Sequence, residues 1–261
     1  MAGCSSDSSS TSTTTPLVTT TPPPTVTPKV PVVATSGPSM VSPYFLHDGL
    51  VTKGAAQQVE AADGADATLA ALLAGPTEVD EAAGLTTALS KNVVLNSVTV
   101  VDGVATVDFN RAFETADTRP QVAQVVFTLT QVEGVTAVQF LIDGQPNGAT
   151  GVKPITRAGL AKFAPPALVD SPTPGQTVTA PIAVSGTAAT PGGTVTYRLE
   201  GPSGSLLAEG SFTHEDDGTG SGPFVGSIAV EGYTGQAVLI MPAPAAGFDD
   251  ATLTRIPVAI A

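Results

Sequence analysis

The sequence predicts two domains of different class behind an N-terminal lead: an α+β layer with helices packed on a sheet, then an all-β sandwich. Three observations carry this. Residues 1–42 are mostly Ser, Thr and Pro, residues 43–153 mix strand and helix signals, and residues 166–261 hold short Val/Thr/Ile runs broken by Gly and Pro. A length of 261 residues suits one or two domains. Hydrophobic residues make up 42% of the chain, but aromatics only 5%, and Trp is absent, so both cores must be built from Val, Leu, Ile and Ala.

From Ser5 to about Ser42 there is hardly a large apolar side chain. Such a segment cannot bury enough surface to offset its ordering entropy, and is expected to be a disordered tether. Pro22-Pro23-Pro24 pushes it toward polyproline II. Fully extended at about 3.1 Å per residue it would reach roughly 110 Å, and as a flexible coil roughly 35 Å.

Folded structure is expected from about Pro43. Tyr44-Phe45-Leu46-His47 reads as a first strand ending at the turn signal Asp48-Gly49. Asp66 to Ala74 reads as a helix: Asp66 as cap, Leu69, Leu72 and Leu73 on one face, Gly75 as the left-handed end and Pro76 as the stop. Ser97 to Phe109 reads as a hairpin, because Asp102-Gly103 between alternating runs calls for a two-residue turn. That turn pairs Val101 with Val104, Val100 with Ala105 and Val98 with Val107, and sets Thr99 opposite Thr106. The last two valine pairs share one face, as the hydrophobic pattern requires. A second helix follows, with Thr118 as cap, Pro120 in the first turn, a stripe of Val122, Val125, Val126 and Leu129, and Gly134 beyond it. Val138, Phe140 and Ile142 then alternate in a strand ended by Asp143-Gly144.

A composition shift at 154–166, closing on Pro165-Pro166, marks the boundary. About seven strands are expected after it, over 177–179, 181–186, 194–199, 206–213, 223–230, 236–241 and 253–259, with turn signals between them.

Three resemblances extend this reading. Met1-Ala2-Gly3-Cys4 ahead of a flexible polar run resembles the end of a bacterial lipoprotein signal peptide. The resemblance implies cleavage before Cys4, with acyl chains such as palmitate on that cysteine. At least two chains are needed, because one gives only marginal membrane binding. No charged n-region or apolar h-region precedes Cys4. Two readings therefore stay open: a start assigned too far downstream, or Met1 as the true start of a cytosolic protein. The tether favours the first. Tyr44-Phe45-Leu46, the helix from Leu69 to Pro76, the Val98–Phe109 hairpin and Val138 to Gly144 resemble the GerMN domain of sporulation and spore-germination proteins. Ser171-Pro172 with Gly175, Val184 to Ala188, Gly222-Pro223-Phe224 and Ile256-Pro257-Val258 resemble the Gmad2 immunoglobulin-like domain, which often follows GerMN in bacterial surface proteins. The implied organisation is a lipobox remnant and tether over 1–42, a GerMN-like domain over 43–153 and a Gmad2-like sandwich over 166–261. The matching residues are core and turn residues, so they imply fold more than activity.

Net charge is −13, and no Lys/Arg cluster forms a phosphate-binding face, which argues against nucleic acid. No apolar run reaches the ~18 residues of a membrane span, so attachment would go through Cys4. His47, at a strand end beside Asp48, makes a poor dyad, because adjacent strand residues point to opposite faces. His214 precedes Glu215-Asp216-Asp217, and that run with Asp249-Asp250 offers the best oxygen ligands for calcium, without the spacing of a dedicated calcium loop. No catalytic, nucleotide or zinc motif occurs, so no catalytic residue, cofactor or metal site is assigned. Cys4, as a lipidation site, is the one functional residue expected.

The favoured expectation is a non-enzymatic envelope lipoprotein on the outer face of the cell membrane, recognising or scaffolding a wall polymer or envelope protein. A surface hydrolase with carboxylates in the interdomain cleft and a calcium-dependent adhesion module remain as alternatives.

Overall fold

The first segment builds its layers from hairpins and helices that cover one another. The computed structural model of the chain describes residues 39–59, 64–146, 152–215, 218, 220–242 and 253–261. Order begins slightly before the expected point: β1 (Ser39–Val41) runs antiparallel to β4 (Gln57–Val59), around a hairpin of β2 (Tyr44–His47) and β3 (Leu50–Lys53). Asp48 and Gly49 close that hairpin with positive φ, as Asp-Gly turns do. Helix α1 (Gly64–Ala74) starts earlier than expected, so Asp66 sits in its exposed first turn, where a carboxylate favours the helix dipole, rather than at the cap. Ala65, Thr68, Leu69 and Leu72 form its buried face and Leu73 is only half-buried. Helix α2 (Glu78–Ala82) was not expected. Thr77 and Asp80 form its capping box, a spacing visible in the sequence. Asp80 is fully buried, its carboxylate accepting from the Ala55 N–H (2.6 Å) as well as from Thr77.

The hairpin of β5 (Leu95–Val101) and β6 (Val104–Phe109) has the register that its Asp-Gly turn dictates, Val101 to Val104, Val100 to Ala105 and Val98 to Val107. After helix α3 (Arg119–Leu129), β7 (Ala137–Ile142) lies parallel to β6, and β8 (Gln145–Pro146) ends the order β5-β6-β7-β8. Thr118 occupies the N-cap position of α3 but does not cap it: its hydroxyl donates to the Thr115 carbonyl (3.3 Å). The expected one-sided stripe on α3 is also incomplete. Every residue from Gln121 to Leu129 is buried, because β2 and β3 cover the side turned away from the four-stranded sheet. Burial on both sides forces its polar residues to find partners. Gln124 accepts from the Ala88 N–H (2.8 Å) and donates to the Tyr44 carbonyl (3.3 Å). Gln121 donates to the Ala88 carbonyl (3.1 Å). The two glutamines thereby hold the irregular segment between α2 and β5 against the helix.

The boundary segment is packed rather than free. Ile155 exchanges backbone hydrogen bonds with Val138 of β7, and Leu160 inserts into the first core. Among its described residues the second segment then forms eight strands: β9 (Ala167–Ser171), β10 (Thr177–Val178), β11 (Ile182–Ala188), β12 (Thr194–Glu200), β13 (Leu206–Thr213), β14 (Gly222–Ile228), β15 (Gly235–Met241) and β16 (Thr254–Ile260). They divide into a five-stranded sheet, β10-β16-β15-β12-β13, and a three-stranded sheet, β14-β11-β9. Alternation along β11 and β16 turns Val184, Ile256 and Val258 inward onto Val195, Leu199 and Phe224. At Gly186, where β11 shifts register against β9, an added Cβ would lie 2.2 Å from the Leu168 carbonyl oxygen, so only glycine lets the two strands pair. All described residues fall within one compact unit.

Replacing Gln124 by the near-isosteric Met should lower stability by about 1–3 kcal/mol in denaturant unfolding, because a part-buried N–H at Ala88 and a buried carbonyl at Tyr44 lose their partners.

Candidate functional site

The residues that deserve functional scrutiny meet where the two segments join. Tyr44 opens β2 and is fully buried. Its N–H donates to the Thr128 hydroxyl of α3 (2.9 Å), and its phenol donates to Asp170 Oδ1 on β9 (3.1 Å). Lys53, at the end of β3, brings its ammonium 3.5 Å from the same carboxylate oxygen. Arg157, from the boundary segment, lays its guanidinium over both the Tyr44 and Phe127 rings, 5.4 and 5.1 Å from their centroids. It also donates to the Thr130 hydroxyl (2.6 Å) and the Phe127 carbonyl (2.9 Å). Burial pushes the Tyr44 phenol well above its ordinary pKa, the Asp170 charge pushes it further, and Arg157 opposes them. The phenol therefore stays protonated and serves as a donor, not as a base.

Apolar packing does the larger share of the joining. Leu168 of β9 belongs to the first core, while Ala167 and Val169 belong to the sandwich core. Successive strand residues face opposite ways, so one short strand is a wall of both cores. Gly175, with φ +76, meets α2 so closely that an added Cβ would fall 2.5 Å from Val79.

For a cleft hydrolase, two carboxylates would have to converge here. Asp170 is instead held by a phenol and an ammonium. A separate cleft of about 380 Å³ opens at the start of α3, lined among others by Arg119, Lys153, Thr156, Val122 and Leu160. Its lining holds cations and hydroxyls but no carboxylate, thiol or imidazole. Just beyond it, Arg119 donates to Asp117 (2.9 Å) and holds that exposed carboxyl below its ordinary pKa. No group of three or more His, Cys, Asp and Glu is placed to hold a metal among the described residues.

The sequence-derived candidates are scattered. Cys4 lies outside the described residues, as do Asp216, Asp217, Asp249 and Asp250. Glu215 is described, its N–H donating to the Pro223 carbonyl. His47 and Asp48 do approach, Nδ1 to Oδ2 at 3.5 Å, contrary to the alternation argument, because Asp48 leaves the strand with φ +49. His214 is buried, with Nε2 3.3 Å from the Thr190 carbonyl oxygen. Of the described candidates, neither the His47–Asp48 pair nor His214 is a partner of Tyr44, Lys53, Arg157 or Asp170. Tyr44, Lys53, Arg157 and Asp170 were missed as a set because no motif links them.

Comparison with known proteins accords with this architecture. Residues 43–148 match the family model Germane, described as sporulation and spore germination, and residues 167–243 match Gmad2, the immunoglobulin-like domain of bacterial spore germination. The chain is a GerMN-like layer joined to an immunoglobulin-like Gmad2 sandwich. Among solved structures, the tandem GerMN domains of the sporulation protein GerM from Bacillus subtilis are 23% identical, with a TM-score of 0.38. The likeness covers 47% of this chain and 45% of that one, less than half of its length. The first GerMN domain of the same protein is 25% identical with a TM-score of 0.34, covering 45% of this chain and 94% of that one. No curated protein matches the chain. The Gmad2 match stops at residue 243, yet β16, at 254–260, sits between β10 and β15 and completes the five-stranded sheet. Sporulation- and germination-related domains of this kind fit a non-enzymatic role.

Two outcomes test the junction between the GerMN-like layer and the Gmad2 sandwich. Tyr44→Phe should lose about 1–2 kcal/mol at neutral pH, the value of a part-exposed hydrogen bond to a charged acceptor. The folded chain holds the Tyr44 proton more tightly than the unfolded chain, where phenols titrate near pH ~10. Stability from this group is thus intact below about pH 10 and is lost as pH rises from there through the folded value. Thermal melts of wild type should fall more steeply than those of Tyr44→Phe above pH ~10, and the Tyr44 phenolate absorbance should appear with unfolding, not ahead of it. Leu168→Ala should cost about 2–4 kcal/mol and split a single calorimetric transition into two, as one wall of the GerMN-like core is withdrawn.

Proposed function

We propose that this protein is a cell-envelope lipoprotein that works by recognition or scaffolding rather than catalysis, held to the outer face of the membrane through Cys4 and its tether. The observation that carries this reading is the junction. A strand shared between two cores and a buried phenol held by a carboxylate fill the place where a cleft enzyme would keep its reacting groups. A pair of domains locked this way is a stiff body suited to presenting a surface at a distance from its anchor. The family models support a role in sporulation or germination as the process served. The resemblance of the residues around Cys4 to a lipoprotein signal supports the anchor, and a wall polymer or another envelope protein is the ligand class proposed.

The test is expression from the natural locus with its upstream DNA, followed by detergent-phase partitioning of wild type beside Cys4→Ala. Wild type should enter the detergent phase and the variant the aqueous phase. If both stay aqueous, the anchor is wrong and the envelope reading falls with it.

A further inference from the structure

The chain carries ten Lys and Arg against 23 Asp and Glu, yet Arg119 of α3 and Lys153, Arg157 and Lys162 of the boundary segment lie in two stretches free of acid. No Asp or Glu stands between Asp117 and Glu133, or between Asp143 and Asp170. Neither stretch is a basic run. The fold makes a positive pole by laying the boundary segment beside the start of α3. Arg157 is committed inside, to the Thr130 hydroxyl and the Phe127 carbonyl. Arg119 and Lys153 instead line the cleft of about 380 Å³ at the start of the helix. Lys162 adds charge nearby, acting after Arg119 to hold the Asp117 carboxyl below its ordinary pKa.

The apolar walls of this cleft are fixed. Val122 stands on α3, Leu160 is buried in the first core, and Ile155 is held by backbone hydrogen bonds to Val138. Thr156 brings a hydroxyl to the same lining, which includes no carboxylate. Arg119 gives Nε and Nη2 to Asp117, at 2.9 and 3.3 Å, which leaves Nη1 to donate elsewhere. Among the described residues no carboxylate pairs with Lys153.

We propose that this cleft binds a carboxylate carried on a small apolar body, the free carboxyl end of a short peptide on a wall polymer. It gives the recognition role a site, and rests on that role for the polymer. Charge selects an anion: where the rest of a chain of −13 repels one, two cations without an acid among the lining residues attract it. The donors and walls select among anions. The Lys153 ammonium and the remaining Arg119 nitrogen match the two oxygens of a carboxylate. A phosphate on a polyol would set its hydroxyls, unpaired, against Val122, Ile155 and Leu160. Size selects a peptide end, since the volume is at the small end of ligand pockets. A folded protein offering its terminus would also have to lay its surface against the acidic remainder of the chain.

Titration of the isotope-labelled full chain with N-acetyl-D-Ala-D-Ala, followed by amide shifts, tests this. Wall peptides, unlike ribosomal chains, end in D-residues. Saturable shifts are expected at Val122, Thr156 and Gly159, with a dissociation constant of about 1 mM that rises with salt. The C-terminal amide of the same peptide, and acetate, which lacks the apolar body, should each bind about tenfold more weakly. Lys153→Gln, at an exposed position, should weaken binding about tenfold. Gly159→Leu should do the same by filling the cleft without altering a charge. An added Cβ there meets only Ile155 Cγ2, at 3.8 Å, so the fold tolerates it. Lys91→Gln, an exposed cation outside the lining, should change nothing. The proposal is overturned by absence of saturable shifts at the cleft, by equal binding of acid and amide, or by glycerol phosphate binding as tightly as the peptide. Equal losses in Lys91→Gln and Lys153→Gln would also overturn it, and a preference for N-acetyl-L-Ala-L-Ala would overturn the polymer as source. These titrations use the soluble chain, so their failure leaves the detergent partitioning of Cys4 untouched.

Discussion

One constraint organises the molecule: β9 is buried on both faces. A strand in an ordinary sandwich turns alternate residues to water, but here Leu168 enters the core of the GerMN-like layer while Ala167 and Val169 enter the Gmad2 core. Separating the domains would expose Leu168 together with the part of the first core that it covers. The neighbouring features are conditions of that arrangement. Gly186 must lack a side chain so that β11 can reach the Leu168 backbone, and Gly175 must lack one so that the following turn can rest on α2. Asp170, two residues past Leu168 and so on the same face, meets Tyr44 and Lys53. The boundary segment with Ile155 and Leu160 is a further layer of the first core, not a hinge.

The chain is poor in aromatics but gathers six of them, Tyr44, Phe45, Phe109, Phe113, Phe127 and Phe140, in the first core, and polar side chains take over part of the positioning around them. Three phenylalanines, Phe109, Phe113 and Phe140, stack in succession at 4.7 and 5.6 Å. Tyr44, Phe45 and Phe127 also belong to the first core, whose remaining members are mainly Val, Leu and Ala, and its irregular segments are fastened by donors and acceptors: Asp80 on the Ala55 backbone, Gln124 on Ala88 and Tyr44, Arg157 on Phe127. Each such contact specifies one arrangement more sharply than apolar packing does, because an unpaired polar group in the interior is costly. The layer thereby gains a single geometry for loops whose own sequences specify little.

How much of this could be read from the sequence divides along one physical line. Periodicity reports burial only when one face of an element stays wet. The β5–β6 hairpin is half-solvated, and its register was legible from Asp102-Gly103 and the valines. The end of α1 was legible because Gly75 and Pro76 leave no alternative. Strand β9 and the far side of α3 are covered all round, so their patterns carry no alternation to detect, and β9 was not assigned. Helix α2 is a single turn and a half, too short for periodicity, and only the Thr77–Asp80 spacing could have revealed it. The junction was illegible for another reason: Tyr44 and Asp170 are 126 residues apart, and a Tyr-carboxylate contact has no sequence signature. Cys4, the one functional residue that the sequence did single out, falls outside the described residues.

The distribution of charge links the architecture to its use. Acidic side chains spread over both domains keep the surface hydrated and keep other acidic bodies away. A protein with that surface cannot recognise an envelope component through broad electrostatic attraction unless the component is cationic. It is left with places where acid is absent, such as the cleft at the start of α3 where Arg119 and Lys153 stand together. A rigid junction suits that mode of recognition, because short-range contacts demand that both domains keep their geometry before the partner arrives. Stiffness between the domains is, on this argument, a consequence of the shared strand.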